Sequence, residues 1–122
     1  MRIDKKAMLI VEDNEDMQSL LVNIFDEEGY QTITAKNGAA AIKIFRDQNI
    51  DIILLDKRLP DIDGFEILSR IKKLSIHSKI IVLTAYGDSA IKNQALSLGA
   101  DAYMTKPFNN FELIDLVKRT VK

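Results

Sequence analysis

The sequence predicts an α/β domain of the (βα)5 type, a five-stranded parallel sheet of order 2-1-3-4-5 with helices on both faces. Three observations lead there. Short β-branched or aliphatic runs alternate five times with segments of helical period along 122 residues. The runs read as strands covered on both sides, as in parallel sheets flanked by helices. Four of the five runs lead into a candidate functional group and only the second contributes none, which suits an edge strand.

The elements follow in order. Ala7–Val11 is the first strand. Met17, Leu20, Leu21, Ile24 and Phe25 then recur at the spacing of one helix face, and Gly29 follows as a C-terminal cap. Thr32–Ala35 is the second strand, and Ala41, Ile44 and Phe45 mark the next helix. Ile50–Leu55 is the third strand, followed by the helical set Ile67, Leu68 and Ile71. Lys79–Thr84 is the fourth, with Ile91, Ala95 and Leu98 behind it and Gly99 as a second cap. Ala102–Thr105 is the last strand, and Ile114, Val117 and Val121 mark the last helix. No repeat, linker or low-complexity tract interrupts the pattern, so residues 1–122 are expected to form one domain without an output domain.

Composition narrows the function classes. With 17 Lys and Arg against 18 Asp and Glu, the net charge of −1 favours neither nucleic acid nor an anionic membrane. The absence of cysteine excludes disulfides and thiolate metal sites and fits a reducing compartment. No signal peptide or apolar run of spanning length is present. A cytoplasmic, monomeric protein without nucleic-acid or membrane partners is expected.

The stretch IDIILLDKRLPDIDG, residues 50–64, ends an apolar run on a carboxylate. A buried strand that terminates in a charge must release it to solvent or use it. Open parallel sheets bind ligands at the carboxyl ends of their strands. Glu12 and Asp13 follow the first strand, Asp56 the third, Thr84 ends the fourth, and Lys106 follows the fifth. Three carboxylates, a hydroxyl and an ammonium thus converge on one rim. The carboxylates would repel one another without a cation. Oxygen-only ligands select a hard ion, Mg²⁺ first and Mn²⁺ as the alternative. Beside such an ion an aspartate can attack a phosphoryl group and form an acyl phosphate, with Thr84 and Lys106 binding phosphoryl oxygens. Asp13 or Asn14 could equally cap the first helix.

The motifs VED (11–13), LLD (54–56) with LP and DG behind it, TAYG (84–87), LGA (98–100) and KPF (106–108) resemble those of response-regulator receiver domains. The resemblance spans the chain and implies the flavodoxin-like receiver fold. It implies that Asp56 accepts phosphoryl from a sensor histidine kinase or a histidine phosphotransfer protein. It further implies that Glu12, Asp13, Asp56 and the Arg58 backbone carbonyl hold the metal. Thr84 and Lys106 would sense the phosphoryl group, Tyr103 would occupy the aromatic switch position, and Lys106–Pro107 would be cis. Such a protein is a phosphoacceptor with self-catalysed transfer and autodephosphorylation, not an enzyme in the usual sense.

A finer likeness, to single-domain sporulation phosphorelay intermediates, rests on EEGYQT (27–32), GFEILSRIK (64–72) and TAYG. Two departures stand out: Glu12 replaces the usual aspartate, and Tyr103 stands where that type has histidine. NEDM at 14–17 also differs on the surface that would meet a phosphotransfer partner. A donor histidine must approach Asp56 in line. Asn14, Glu15, Met17, Gln18, Leu21, Pro107 and Phe108 are therefore expected to form the docking surface, with Met17 and Phe108 as apolar anchors. Met17 and Tyr103 fit core packing as well. Arg58 and Tyr86 are expected to border the mouth and exclude water. His77 has no His or Cys partner and reads as surface.

Other functions compete. A stand-alone receiver can act by direct target binding, as in chemotaxis, or the chain can be the receiver of a larger DNA-binding regulator. A flavin electron carrier shares the topology, but four acids in residues 12–16 would repel its phosphate. A haloacid-dehalogenase-type phosphatase needs D-x-D after the first strand, where Asp13 is followed two places later by Glu15.

Overall fold

A computed structural model describes residues 5–75, 77–85 and 89–121. Strands β1 (Ala7–Val11), β2 (Gln31–Ala35), β3 (Ile52–Asp56), β4 (Lys79–Thr84) and β5 (Ala102–Thr105) alternate with five helices. These are α1 (Glu15–Glu27), α2 (Gly38–Asp47), α3 (Gly64–Leu74), α4 (Ser89–Ser97) and α5 (Asn110–Val121). The sheet is parallel throughout, in the order β2-β1-β3-β4-β5. Tyr86 and Gly87, which the sequence places at the mouth and in the TAYG motif, lie outside the described residues.

Strand side chains alternate between two apolar layers, as the two-residue strand period requires. Leu9, Val11, Ile53, Leu55, Ile80 and Val82 face one layer, closed by Ala41 and Phe45 of α2, Leu68 and Ile71 of α3 and Ala95 of α4. Met8, Ile10, Ile52, Leu54, Ile81 and Leu83 face the other, closed by Leu21 and Phe25 of α1 and Leu113 and Val117 of α5. The strands are apolar on both faces because both faces are covered. β2 is one of the two edge strands, and its side chains are exposed or half-buried except for Ala35.

The boundaries of two strands differ from the sequence reading. β2 begins at Gln31, and β3 runs from Ile52 to Asp56 rather than from Ile50 to Leu55. At the entry to β3, the Asp51 carboxylate accepts the Ala7 N–H at 2.7 Å, so a side chain takes a donor that strand pairing would otherwise use. Asn14, not Asp13, caps α1, its Oδ1 accepting the Met17 N–H at 2.8 Å. Gly29 and Gly99 have φ of 93° and 110°, the left-handed conformation that ends a helix at lowest cost in glycine. No helix among the described residues is long and apolar enough to cross a membrane.

Candidate functional site

The site is assembled at the carboxyl edge of the sheet. Glu12 leaves β1 and is tied to the edge strand by its N–H, which donates to Ala35 O at 3.0 Å. Asp56 is the last residue of β3 and Thr84 the last of β4. Lys106 follows β5, and its N–H donates to Thr84 O at 2.7 Å, so β4 positions the lysine backbone. The Lys106–Pro107 peptide is cis.

Glu12 (2 % exposed), Asp56 (8 %) and Thr84 (1 %) are buried polar residues, whereas Asp13 is exposed. Carboxylate oxygens of Glu12, Asp13 and Asp56 all lie within 4.8 Å of one another. Lys106 Nζ donates to Glu12 Oε1 at 2.6 Å and lies 3.5 Å from Asp56 Oδ2. The second oxygen of Glu12 accepts the Asn14 N–H at 3.2 Å, and Asp56 Oδ1 accepts the Arg58 N–H at 3.3 Å. Burial pushes the Glu12 carboxyl above its ordinary range; the Lys106 hydrogen bond opposes this, and the Asp56 charge adds to it. One ammonium thus serves two buried carboxylates with a third nearby. The group supplies only hard oxygen donors, without imidazole or thiolate, and so fits Mg²⁺.

The other residues singled out in the sequence divide. Thr84 and Lys106 join the rim. Tyr103 lies on β5 opposite Val82 and packs, half-buried, against the first layer. Asn14, Glu15 and Pro107 are exposed near the rim, with Glu15 3.3 Å from Lys36. Gln18 donates to Glu12 O at 3.1 Å, which makes it a support of the β1 end as well as a surface residue. Met17 and Phe108 are half-buried against the second layer. Leu21 requires a correction: at 1 % exposure it belongs to the core, because the helical repeat that carries Phe25 inward carries Leu21 with it. It offers nothing to a partner.

Sequence reasoning missed Asp61. Its carboxylate accepts the N–H groups of Gly38 at 2.8 Å and Ala39 at 3.0 Å, at the start of α2. In the sequence it is only one of two acids in PDIDG.

A family model for the response regulator receiver domain matches residues 8–118. This chain belongs to the response regulator receiver domain family. The receiver is 39 % identical over 114 residues to sporulation initiation phosphotransferase F of Bacillus subtilis (strain 168), covering 93 % of this chain and 92 % of that protein. A CheY-like receiver domain protein from Methanospirillum hungatei JF-1 superposes with a TM-score of 0.92 at 30 % identity, over 97 % of this chain and 94 % of that one. Response regulator TrrA from Thermotoga maritima, solved in complex with Mg(2+)-BeF, has a TM-score of 0.85 at 38 % identity, over 94 % and 98 % of the two chains. Three further curated relatives, each a regulatory protein, are 33 % to 37 % identical, and the receiver spans half of their length or less.

Proposed function

We propose that this receiver accepts a phosphoryl group on Asp56 from a phosphohistidine of a sensor kinase or phosphotransfer protein and passes it onward, as an intermediate of a sporulation-type phosphorelay. The observation that carries the reading is the clustering of Glu12, Asp13 and Asp56 within 4.8 Å beside Lys106 at the carboxyl edge of the sheet. Coverage of 92 % of the sporulation phosphotransferase supports the relay role. The half-length matches favour a second reading, that the chain is the receiver of a transcriptional regulator.

In the proposed reaction an Asp56 carboxylate oxygen attacks phosphorus, the O–P bond forms as the P–N bond breaks, and the imidazole leaves. Glu12, Asp13, Asp56 and the Arg58 carbonyl would hold Mg²⁺, which supplies charge for the phosphoryl oxygens. Lys106 is 3.5 Å from Asp56 and so within reach of charge developing on a phosphoryl oxygen. Thr84, buried at the neighbouring strand end, is placed to donate its hydroxyl there. Phosphorylation would withdraw Lys106 from Glu12 and offer Thr84 and Tyr103 a new arrangement, which gives the switch its physical basis.

Intact mass after incubation with acetyl phosphate and Mg²⁺ tests the acceptor. Wild type should gain one acid-labile phosphoryl group and Asp56→Asn none, because an amide oxygen is too poor a nucleophile. An equally labelled Asp56→Asn variant would place the acceptor elsewhere. Transfer from labelled phosphotransfer proteins, in both directions, separates a relay intermediate from a terminal regulator.

A further inference from the structure

The segment 57–63 leaves Asp56 and is held at its base and at its tip. At the base, the Lys57 N–H donates to Leu83 O at 3.1 Å and the Gly64 N–H donates to Lys57 O at 2.8 Å. Lys57 also pairs with Asp63 at 3.1 Å. At the tip, Asp61 Oδ1 accepts the Gly38 N–H and Oδ2 the Ala39 N–H, contacts that cross 23 and 22 residues of chain. Oδ1 also accepts the Ile62 N–H at 2.9 Å, which fixes the carboxylate relative to its own loop. Helix α2 already has its own cap, Asn37 Oδ1, which accepts the Ala40 N–H at 2.8 Å. Asp61 therefore satisfies the two amides that Asn37 does not reach. Loop and helix meet closely: a Cβ on Gly38 would lie 3.0 Å from Ile62 Cβ.

We propose that Asp61 is a positioning residue for the phosphoacceptor loop. By clamping the loop tip to the start of α2, it holds the turn that presents the Arg58 backbone beside Asp56. The inference rests on the reading of Asp56 as acceptor. Only Leu59 and Pro60 separate Asp61 from Arg58, and the Arg58 N–H donates to Asp56 Oδ1 at 3.3 Å. A tip released from α2 leaves Leu59 and Pro60 to set that geometry alone. The backbone N–H groups of Gly38 and Ala39 also hold the Asp61 carboxyl below the usual carboxylate range, so it accepts as an anion at neutral pH.

The test compares Asp61→Ala, Asp61→Asn and Asn37→Ala in the full chain. Asn37→Ala removes the helix's own cap, weakens the same helix end and leaves the loop tip attached. Amide exchange and chemical shifts in the metal-free protein provide a readout independent of labelling. In Asp61→Ala the Gly38 and Ala39 amides should exchange faster and the Arg58 amide resonance should move. The Mg²⁺ concentration giving half-maximal acetyl phosphate labelling should rise roughly three- to tenfold, as for residues that orient metal ligands. Asp61→Asn, which keeps one carbonyl acceptor, should fall between, and Asn37→Ala should leave both the Arg58 resonance and the Mg²⁺ requirement at wild-type values. Equal Mg²⁺ requirements in Asp61→Ala and wild type, or the same rise in Asn37→Ala, would overturn the role given to Asp61. Failure of wild type to label at all would instead overturn the acceptor reading.

Discussion

Lys106 links two buried carboxylates, with Glu12 at 2.6 Å and Asp56 at 3.5 Å. Asp13, the third member, is the exposed one, so its charge can be removed without leaving a buried partner unpaired. Asp13→Ala should therefore raise the stability of the metal-free protein slightly, on the order of 0.5 kcal/mol, by lifting repulsion on Glu12 and Asp56. The same variant should bind Mg²⁺ at least roughly tenfold more weakly. Thermal melts with and without millimolar Mg²⁺ separate the two effects. A metal-free melting temperature below that of wild type would show that Asp13 is not repelled by its neighbours. Glu12 suits this arrangement because its longer stem lets one oxygen meet Lys106 while the other accepts the Asn14 N–H.

Two helix-initiating glycines make a contrast at the scale of elements. A Cβ on Gly64, at the start of α3, would lie 2.6 Å from Asp56 O and 2.7 Å from Lys57 Cα, both backbone atoms of the site. On Gly38, at the start of α2, the nearest atom would be Ile67 Cδ1 at 2.7 Å, the movable end of a side chain. Gly64→Ala should cost about 2–4 kcal/mol and impair labelling, since only the acceptor strand can give way. Gly38→Ala should cost about 1 kcal/mol, partly offset by the better helix propensity of alanine. Urea midpoints at unchanged m-value check this; equal losses would mean that the β3–α3 junction yields as easily as an isoleucine rotamer.

For the molecule as a whole, acid stability reports the clamp between α2 and the loop after β3. The Asp61 carboxyl is lowered from 3.8 by the backbone N–H groups of Gly38 and Ala39. A carboxyl whose folded pKa is depressed contributes stability that is fully present above its unfolded value and lost as pH falls through the folded one. Glu12, raised from 4.5 by burial, acts with the opposite sign, so wild type alone gives a mixed profile. The difference between wild type and Asp61→Asn cancels that contribution. Wild type should melt higher by a constant margin above about pH 5, and the margin should shrink as pH falls below 3.8. A margin independent of pH would mean that the charge on Asp61 is irrelevant to its bonds.

By itself the sequence determined the order of elements, the two covered faces and the rim on which Glu12, Asp13, Asp56, Thr84 and Lys106 meet. Those features follow from short periods, because a strand or helix repeats its burial every few residues, and from the rule that parallel strands end on one edge. Leu21 shows the limit of reasoning by proximity: it is near the rim in sequence, but the helix period turns it into the core. Only the tertiary structure decided that Lys106 pairs with Glu12 across 94 residues and that Asp61 caps a helix 22 residues before it. It also moved the start of β3, because Asp51 uses its side chain on β1. Such contacts join loops and helix ends whose separation depends on the summed lengths and twist of several strands, and no local period of residue types records that sum.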